Sequence, residues 1–393
     1  MMKVCYFIPM LDYASGWGRW TVDLLEKIVE FGVEPVLIIS ESQREEHLKS
    51  GLKFETHFWG PEPYAWFHQL HRINTRGLKD LFSIKKRYKA LEGKGISLIH
   101  ATDMYPWGFF AGQLKEKLNV PVILTNHSKL LFNPWFSVID FYLCRKAVNT
   151  CDRIVSVSDW SRKQIQNELG MDDEKFQFIH NGVDVDRMKK CSEELEAQTI
   201  CGSRCGSRGP VIISVTRFIK LKGIETAVLA FKQIKDEMPG ARYYIIGPHS
   251  NPDYVDYIKK IIADHGIKDV YLTGKTGSIT ELCAYYRMAD VLVHTSKSES
   301  FPLIFYEAGC FNVPVVASAV GGVPEAVIDG ENGLLVPAGD VAATAQGIRN
   351  ILTDAELAKR LGNNNYTKAM RCTARKVAFE YYKIYQELIG YSK

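Results

Sequence analysis

Along the first half of the chain, short runs that are apolar on both faces alternate with stretches of helical periodicity. The runs are KVCYFIP at 3–9, EPVLIIS at 34–40, SLIHAT at 97–102, VPVILTNH at 120–127, RIVSVS at 153–158 and FQFIH at 176–180. A strand apolar on both faces is covered on both, which is the mark of a parallel sheet flanked by helices. The pattern stops at the polar, glycine-containing stretch KKCSEELEAQTICGSRCGSRGP and then starts again. Its second series is VIISVTR at 211–217, ARYYIIG at 241–247, VYLTG at 270–274, VLVHTS at 291–296 and VPVVAS at 313–318, closed by GLLVP at 333–337. The fold class predicted is α/β, with one parallel-sheet domain over 1–187, a linker over 188–209 and a second domain over 210–372. The last segment, TARKVAFEYYKIYQELI, places Val377, Phe379, Tyr382, Ile384, Tyr385 and Leu388 at helical spacing and predicts a packing helix. With the residues to 393 it is expected to join the first domain. Open parallel sheets take ligands at the carboxyl ends of their strands, so the expected site is a cleft between the two domains.

Length agrees with two domains, since 393 residues exceed what one core usually organises. An apolar share of 46% with 24% charged residues describes an ordinary globular protein, and no apolar stretch reaches the ~20 residues of a membrane span. The formal charge of +4 is too slight to argue for nucleic acid, although Lys79 to Lys94 is distinctly basic. Nine scattered cysteines lack the spacing of zinc sites or a disulfide scaffold, which predicts a reducing, cytoplasmic compartment. Cys201 and Cys205 have no second Cys or His cluster to complete a tetrahedral site, so no metal is expected there. The opening MMKVCYFIPM reads as a first strand rather than a signal peptide.

Three motifs suggest chemistry and fail on spacing. GKTGS at 274–278 ends like a P-loop, but Asp269 stands where that loop needs its first glycine. GWGRWT at 16–21 approaches a dinucleotide fingerprint, yet Thr21 replaces the third glycine. DVD at 184–186 looks like a metal-holding carboxylate pair, but its setting reads as a turn leading into the linker.

The stretch SESFPLIFYEAG at 298–309 sets Glu299 and Glu307 eight positions apart around an apolar run. Such a pair suits acid/base chemistry, a metal, a clamp on hydroxyls, or two unrelated surface charges. Pro302 fits the first turn of a helix and Ser300 its cap, which predicts Glu299 in the loop and Glu307 in the second turn. A helix start at a strand's carboxyl end directs amides at a phosphate or a sugar hydroxyl. Ionised carboxylates are pure acceptors and suit vicinal hydroxyls. Arg217 and Lys222 follow the first strand of the second domain and are expected to neutralise a diphosphate without a metal. In the first domain, Gly16 and Gly18 allow close approach of backbone before a helix, and His127 ends a strand at the cleft.

Taken together, SESFPLIFYEAG resembles the E-x7-E signature of the retaining glycosyltransferases of family four. The resemblance continues through PVVASAVGGVPEAVIDGENGLLVPAGD at 314–340, TRFIKLKG at 216–223, FIHNGVD at 178–184 and SGWGRW at 15–20. It implies a GT-B fold of two Rossmann-like domains, the first holding the acceptor and the second a nucleotide-diphosphate sugar, with no further cofactor. Carried over by motif position, Arg217 and Lys222 bind the diphosphate, Glu307 the ribose hydroxyls and Glu299 the donor sugar. The resemblance places the amides of the loop through Ser300, Phe301, Pro302, Leu303 and Ile304 near sugar and phosphate, except that Pro302 has none to offer. It also implies that Gly16 approaches the diphosphate, His127 touches the sugar and Thr276 lies beside the base. The implied reaction is front-face transfer with retention, so the spacing of the two glutamates acts as a ruler along the donor. Rival readings are an epimerase or a phosphorolytic enzyme on the same fold, or an inactive binding protein.

The acceptor is less legible. Aromatic and basic residues interleave from His57 to Gly95, and LLFNPWFSVIDFY at 130–142 adds aromatics. Such surfaces suit an anionic membrane and a lipid-linked acceptor, with Lys85, Lys86 and Arg87 as contacts, or sugar stacking, or plain helix packing.

Overall fold

The computed structural model describes residues 2–9, 11, 16–59, 88–127, 138–171, 174–197 and 209–390. The chain forms two units, Met1–His180 with Ala374–Lys393, and Asn181–Thr373. In the first, strands β1 (Met2–Ile8), β2 (Val33–Ser40), β3 (Glu55–Trp59), β4 (Leu98–Ala101), β5 (Val122–Asn126), β6 (Arg153–Ser156) and β7 (Phe176–Phe178) form one parallel sheet. Its order is β3-β2-β1-β4-β5-β6-β7. The second holds β8 (Val211–Val215), β9 (Arg242–Ile246), β10 (Val270–Gly274), β11 (Val291–His294), β12 (Val315–Ser318) and β13 (Leu334–Val336), again all parallel. The order β10-β9-β8-β11-β12-β13 repeats the first sheet's arrangement. Both are doubly wound Rossmann-like sheets.

The alternation along each central strand decides which layer it feeds. Cys5, Phe7, Val36, Ile38, Ile99 and Leu124 enter one buried cluster with Trp107, Phe110, Leu114 and Val148 of the helices over that face. The residues between them, including Tyr6, His100 and Thr125, belong to the opposite face and are also fully buried. That second face carries a polar network: His100 Nδ1 lies 2.6 Å from the Tyr385 hydroxyl and Nε2 lies 2.7 Å from Thr125 Oγ1. Tyr385 also meets Tyr6 at 3.1 Å, and Tyr381 meets Thr125 at 2.9 Å. These bonds fasten the C-terminal helix Ala374–Gly390 to the first unit's sheet.

Four expectations are corrected. β3 was missed, because ETHFW is a partly exposed edge strand with polar alternation. The stretch 188–209 is not a linker throughout: helix Val185–Ala197 belongs to the second unit, which begins at Asn181 rather than after 187. Its charged face is solvated while Met188 and Cys191 are buried, with Met188 Sδ 3.8 Å from Cys283 of helix Ile279–Met288. Asp184 caps its start by accepting from the Arg187 amide at 3.2 Å. On the C-terminal helix it is Tyr381 that is buried, whereas Phe379 is exposed and packs with Tyr382 beside Phe31. Cys201, Cys205, Lys85, Lys86, Arg87 and most of both aromatic segments lie outside the described residues, and no described helix is long and apolar enough to cross a membrane.

The polar network makes stability pH-dependent. Burial pushes the His100 imidazole down to about 3, so the folded unit keeps it neutral while the unfolded chain protonates it near ~6.5. This contribution is intact above about pH 6.5 and is lost as pH falls, by about 1.4 kcal/mol per unit until His100 itself titrates. All seven tryptophans lie in the first unit, so their fluorescence reports its unfolding alone. His100→Gln, which keeps hydrogen bonding without titration, is expected to flatten the fall in urea stability between pH 6.5 and 4.5. Parallel slopes for the two proteins would show that the imidazole is charged in the folded state.

Candidate active site

In each sheet the strand order reverses at the first strand, β1 lying between β2 and β4, and β8 between β9 and β11. The loops leaving such a switch point diverge and open a crevice. In the second unit these are the loops after β8 and β11, and they grip each other. Thr295 Oγ1 donates to Gly223 O at 2.9 Å, Ser296 Oγ to Leu221 O at 3.1 Å, and the Lys297 amide to Leu221 O at 2.8 Å. Gly223 sits at φ 57°, and a Cβ there would meet Thr295 O at 2.3 Å. Only glycine allows both this backbone and this approach.

The grip sets the position of Lys222. Its Nζ lies 2.5 Å from Glu299 Oε1, and His294 Nε2 donates to the same oxygen at 2.7 Å. All three side chains are largely buried, at 14%, 11% and 4% exposure for Lys222, Glu299 and His294. Burial by itself would raise the Glu299 carboxyl, but the Lys222 charge and the His294 hydrogen bond outweigh it and hold the group ionised well below the usual carboxylate range. Oε2 accepts no hydrogen bond among the described residues. The loop after β12 closes on the backbone of the same glutamate: the Gly322 amide donates to Glu299 O at 3.0 Å, and at Gly321, φ 56°, a Cβ would fall 1.9 Å from that oxygen.

Glu307 lies in a different setting. It is buried, and Tyr286 donates its hydroxyl proton to Oε2 at 2.7 Å. The helix carrying it is Ile304–Gly309, later and shorter than the sequence suggested. Ser300 does not cap it, Pro302 precedes it, and Glu307 stands in its first turn rather than its second. Phe301 and Leu303 are buried while Ser300, Pro302 and Ile304 are half-buried. The segment is anchored from outside: Asn181 Nδ2 donates to Phe301 O at 3.1 Å, and Asn365 Nδ2 to Phe305 O at 3.1 Å and Val313 O at 3.0 Å.

The two cations expected to act together differ. Arg217 follows β8, is exposed, and its guanidinium has no ion pair among the described residues, whereas Lys222 is engaged by Glu299. Thr276 is half-buried between β10 and Ser278, whose hydroxyl caps helix Ile279–Met288 through the Glu281 amide.

In the first unit, Gly16 and Gly18 are the first turn of helix Gly16–Ile28 rather than a loop before it, and Gly16 is exposed with open space at its Cβ position. His127 follows β5 between two indoles, stacked on Trp17 at 5.3 Å and edge-on to Trp20 at 4.2 Å. Burial pushes its imidazole down to about 3, with His100 adding to the effect. Trp20 in turn rests on Tyr381 at 5.8 Å. Sequence reasoning missed His294, the two tryptophans and the Gly321 contact. The only signal for His294 was a polar residue ending an otherwise apolar central strand.

Comparison with known proteins shows similarity to glycosyltransferases in both halves of the chain. Residues 204–368 match the model of Glycosyl transferases group 1, and residues 14–187 match that of Glycosyltransferase Family 4. Each half of the chain is thus similar to a glycosyltransferase domain, and the fold is GT-B. It is 27% identical to an uncharacterised glycosyltransferase of Methanocaldococcus jannaschii over 81% of this chain and 83% of that one. It is 30% identical to the D-inositol 3-phosphate glycosyltransferase of Streptomyces bingchenggensis, over 63% of this chain and 55% of the relative. Among solved structures, Anabaena HepE in complex with UDP superposes with a TM-score of 0.77 at 18% identity, covering 98% of this chain and 100% of that one.

The Gly321 contact is testable against a neighbour of the same backbone class. Gly330 has φ 72° with nothing within 4 Å of a Cβ, so Gly330→Ala is expected to cost about 1 kcal/mol from conformation alone. Gly321→Ala also drives a methyl into Glu299 O and is expected to cost several kcal/mol more in guanidinium unfolding followed by circular dichroism. Equal losses would show that the loop after β12 yields freely.

Proposed function

We propose that the protein moves a hexose from a nucleotide-diphosphate sugar to an acceptor hydroxyl, with retention at the anomeric carbon and without a metal. The observation that carries this reading is the joint placement of Lys222, His294 and Glu299 at the switch point of the second sheet. A carboxylate held ionised there, with one oxygen engaged and the other left to accept, suits a sugar hydroxyl. Arg217 and Lys222 receive the diphosphate, Glu307 the ribose hydroxyls, and Thr276 the edge of the base. The amides of Phe301, Leu303 and Ile304 face sugar and phosphate. From the first unit, Gly16 approaches the diphosphate and His127 contacts the sugar as a neutral hydrogen-bonding group, since its imidazole stays uncharged at neutral pH.

In this mechanism the leaving diphosphate oxygen accepts the acceptor's proton. The C–O bond to the donor breaks as the new glycosidic bond forms on the same face. Rate then depends on stabilising the charge that develops on the departing phosphate, the task of Arg217, Lys222 and the loop amides. UDP is the first nucleotide to test, because the Anabaena protein of like fold was solved with it; GDP and ADP follow. A small polyol phosphate or a lipid-linked sugar is the acceptor class, the former suggested by the Streptomyces relative, with peripheral contact at the cytoplasmic face of a membrane.

Lys222→Ala and Arg217→Ala are each expected to lower turnover by about 10²–10³-fold with the fold intact, as loss of a preorganised charge donor does. A thermal-shift panel of UDP, GDP, ADP and their sugars identifies the donor; ligand at 100 times its Kd adds ~2.7 kcal/mol. Near-normal transfer by both variants would overturn the assignment. An isomerised donor or a sugar phosphate in place of a new glycoside would replace it with epimerase or phosphorolytic chemistry.

A further inference from the structure

We propose that His294 is a positioning residue: it keeps Glu299 aligned on the donor sugar when Lys222 turns to the diphosphate. The inference rests on the donor-site reading above. Its ground is that Glu299 Oε1 has two donors of very different freedom. His294 ends β11, a central strand paired to β8 on one side and to β12 on the other, where His294 stands opposite Ala317. Its imidazole is 4% exposed and held edge-on by Phe305 at 5.5 Å and 85°. A ring so enclosed has no room to swing away. Lys222, in contrast, is carried on the one-turn segment Lys220–Lys222, with a flexible four-carbon stem.

A buried polar ring in an apolar strand is unfavourable unless it is hydrogen-bonded. The neighbouring residues Val291, Leu292 and Val293 are fully buried and apolar, and His294 satisfies Nε2 on Glu299. Because a carboxylate only accepts, Nε2 carries the proton and the tautomer is set. Lys222 cannot keep its 2.5 Å contact with Oε1 at full strength while its ammonium also moves onto a diphosphate. At that moment a buried, ionised Glu299 with no other donor would be free to rotate. His294 retains Oε1, so Oε2 stays directed at the sugar hydroxyl. The division of labour is a mobile cation shared between carboxylate and phosphate, and a fixed imidazole that serves the carboxylate alone.

Two variants test this, with the nucleoside diphosphate selected from UDP, GDP and ADP and its hexose derivative as probes. His294→Phe fills the space and removes the donor; His294→Gln restores an N–H near the position of Nε2. His294→Phe is expected to leave the Kd for the nucleoside diphosphate within about twofold while lowering kcat about 10- to 100-fold, the range for losing a hydrogen bond to a charged group. His294→Gln is expected to recover kcat to within about fivefold of the parent. Normal kcat in His294→Phe, or a loss of diphosphate binding in step with kcat, overturns the inference. Equal kcat losses in both variants, tracking equal falls in Tm, overturn it in favour of a packing role. If Lys222→Ala also keeps full turnover, the donor-site reading fails; if Lys222→Ala is crippled and His294→Phe is normal, only the role of His294 fails.

Discussion

One buried oxygen, Glu299 Oε1, organises the second unit's site. Placing a carboxylate at 11% exposure is unfavourable unless a cation and hydrogen bonds compensate, and removing one partner of such a pair typically costs about 3–5 kcal/mol. The geometry that supplies the compensation reaches well beyond the three side chains. Lys222 arrives because Gly223 turns left-handed against Thr295 O, and Thr295, Ser296 and Lys297 hold the turn through its carbonyls. Glu299 is held from its other side by Gly321 and Gly322. Both glycine contacts are shorter than any Cβ would allow, so the loops after β8, β11 and β12 form one packed object.

The first unit buries a polar cluster of another kind, on one face of its central strands, built from neutral groups. His100, Thr125, Tyr6, Tyr381 and Tyr385 share a closed set of hydrogen bonds in which no member needs a charge. Fully satisfied buried networks of this kind fix one arrangement, because any slip leaves a polar atom unpaired. The outcome is that the chain's last helix is part of the first unit's interior. Through Tyr381 it backs Trp20, and through Trp20 it backs His127. A substitution at Tyr381 therefore bears on His127, 254 positions earlier, by packing alone.

The central strands of both sheets were legible because each is buried and reads as a continuous apolar run. β3 was not, since at a sheet edge it alternates like a loop. Motif spacing singles out Glu299, Glu307, Arg217 and Lys222 as candidates, but not which cation touches which carboxylate. That depends on backbone contacts such as Gly223 against Thr295, which no spacing in the sequence encodes. Helix Val185–Ala197 was mistaken for linker for a related reason: charge composition reports its solvated face, whereas Met188 and Cys191 decide where it packs. The start of helix Ile304–Gly309 was placed too early because Pro302 and Ser300 are good first-turn residues in isolation. Asn181 and Asn365, far away in sequence, take the carbonyls that set the segment's path.

The same oxygen bears on the kind of chemistry available. A general acid near neutral pH needs a carboxyl whose pKa is raised, which burial alone would achieve. At Glu299 burial is overcome by Lys222 and His294, so the group stays ionised and has no proton to give. As a base it is equally poor, since a carboxylate held well below the usual range binds protons weakly. What remains is acceptance of hydrogen bonds from a fixed direction. A site built this way favours a reaction whose difficulty is charge on a leaving group rather than proton transfer from the protein. The proposed glycosyl transfer from a nucleotide-diphosphate sugar, with the leaving phosphate oxygen as the base, is such a reaction.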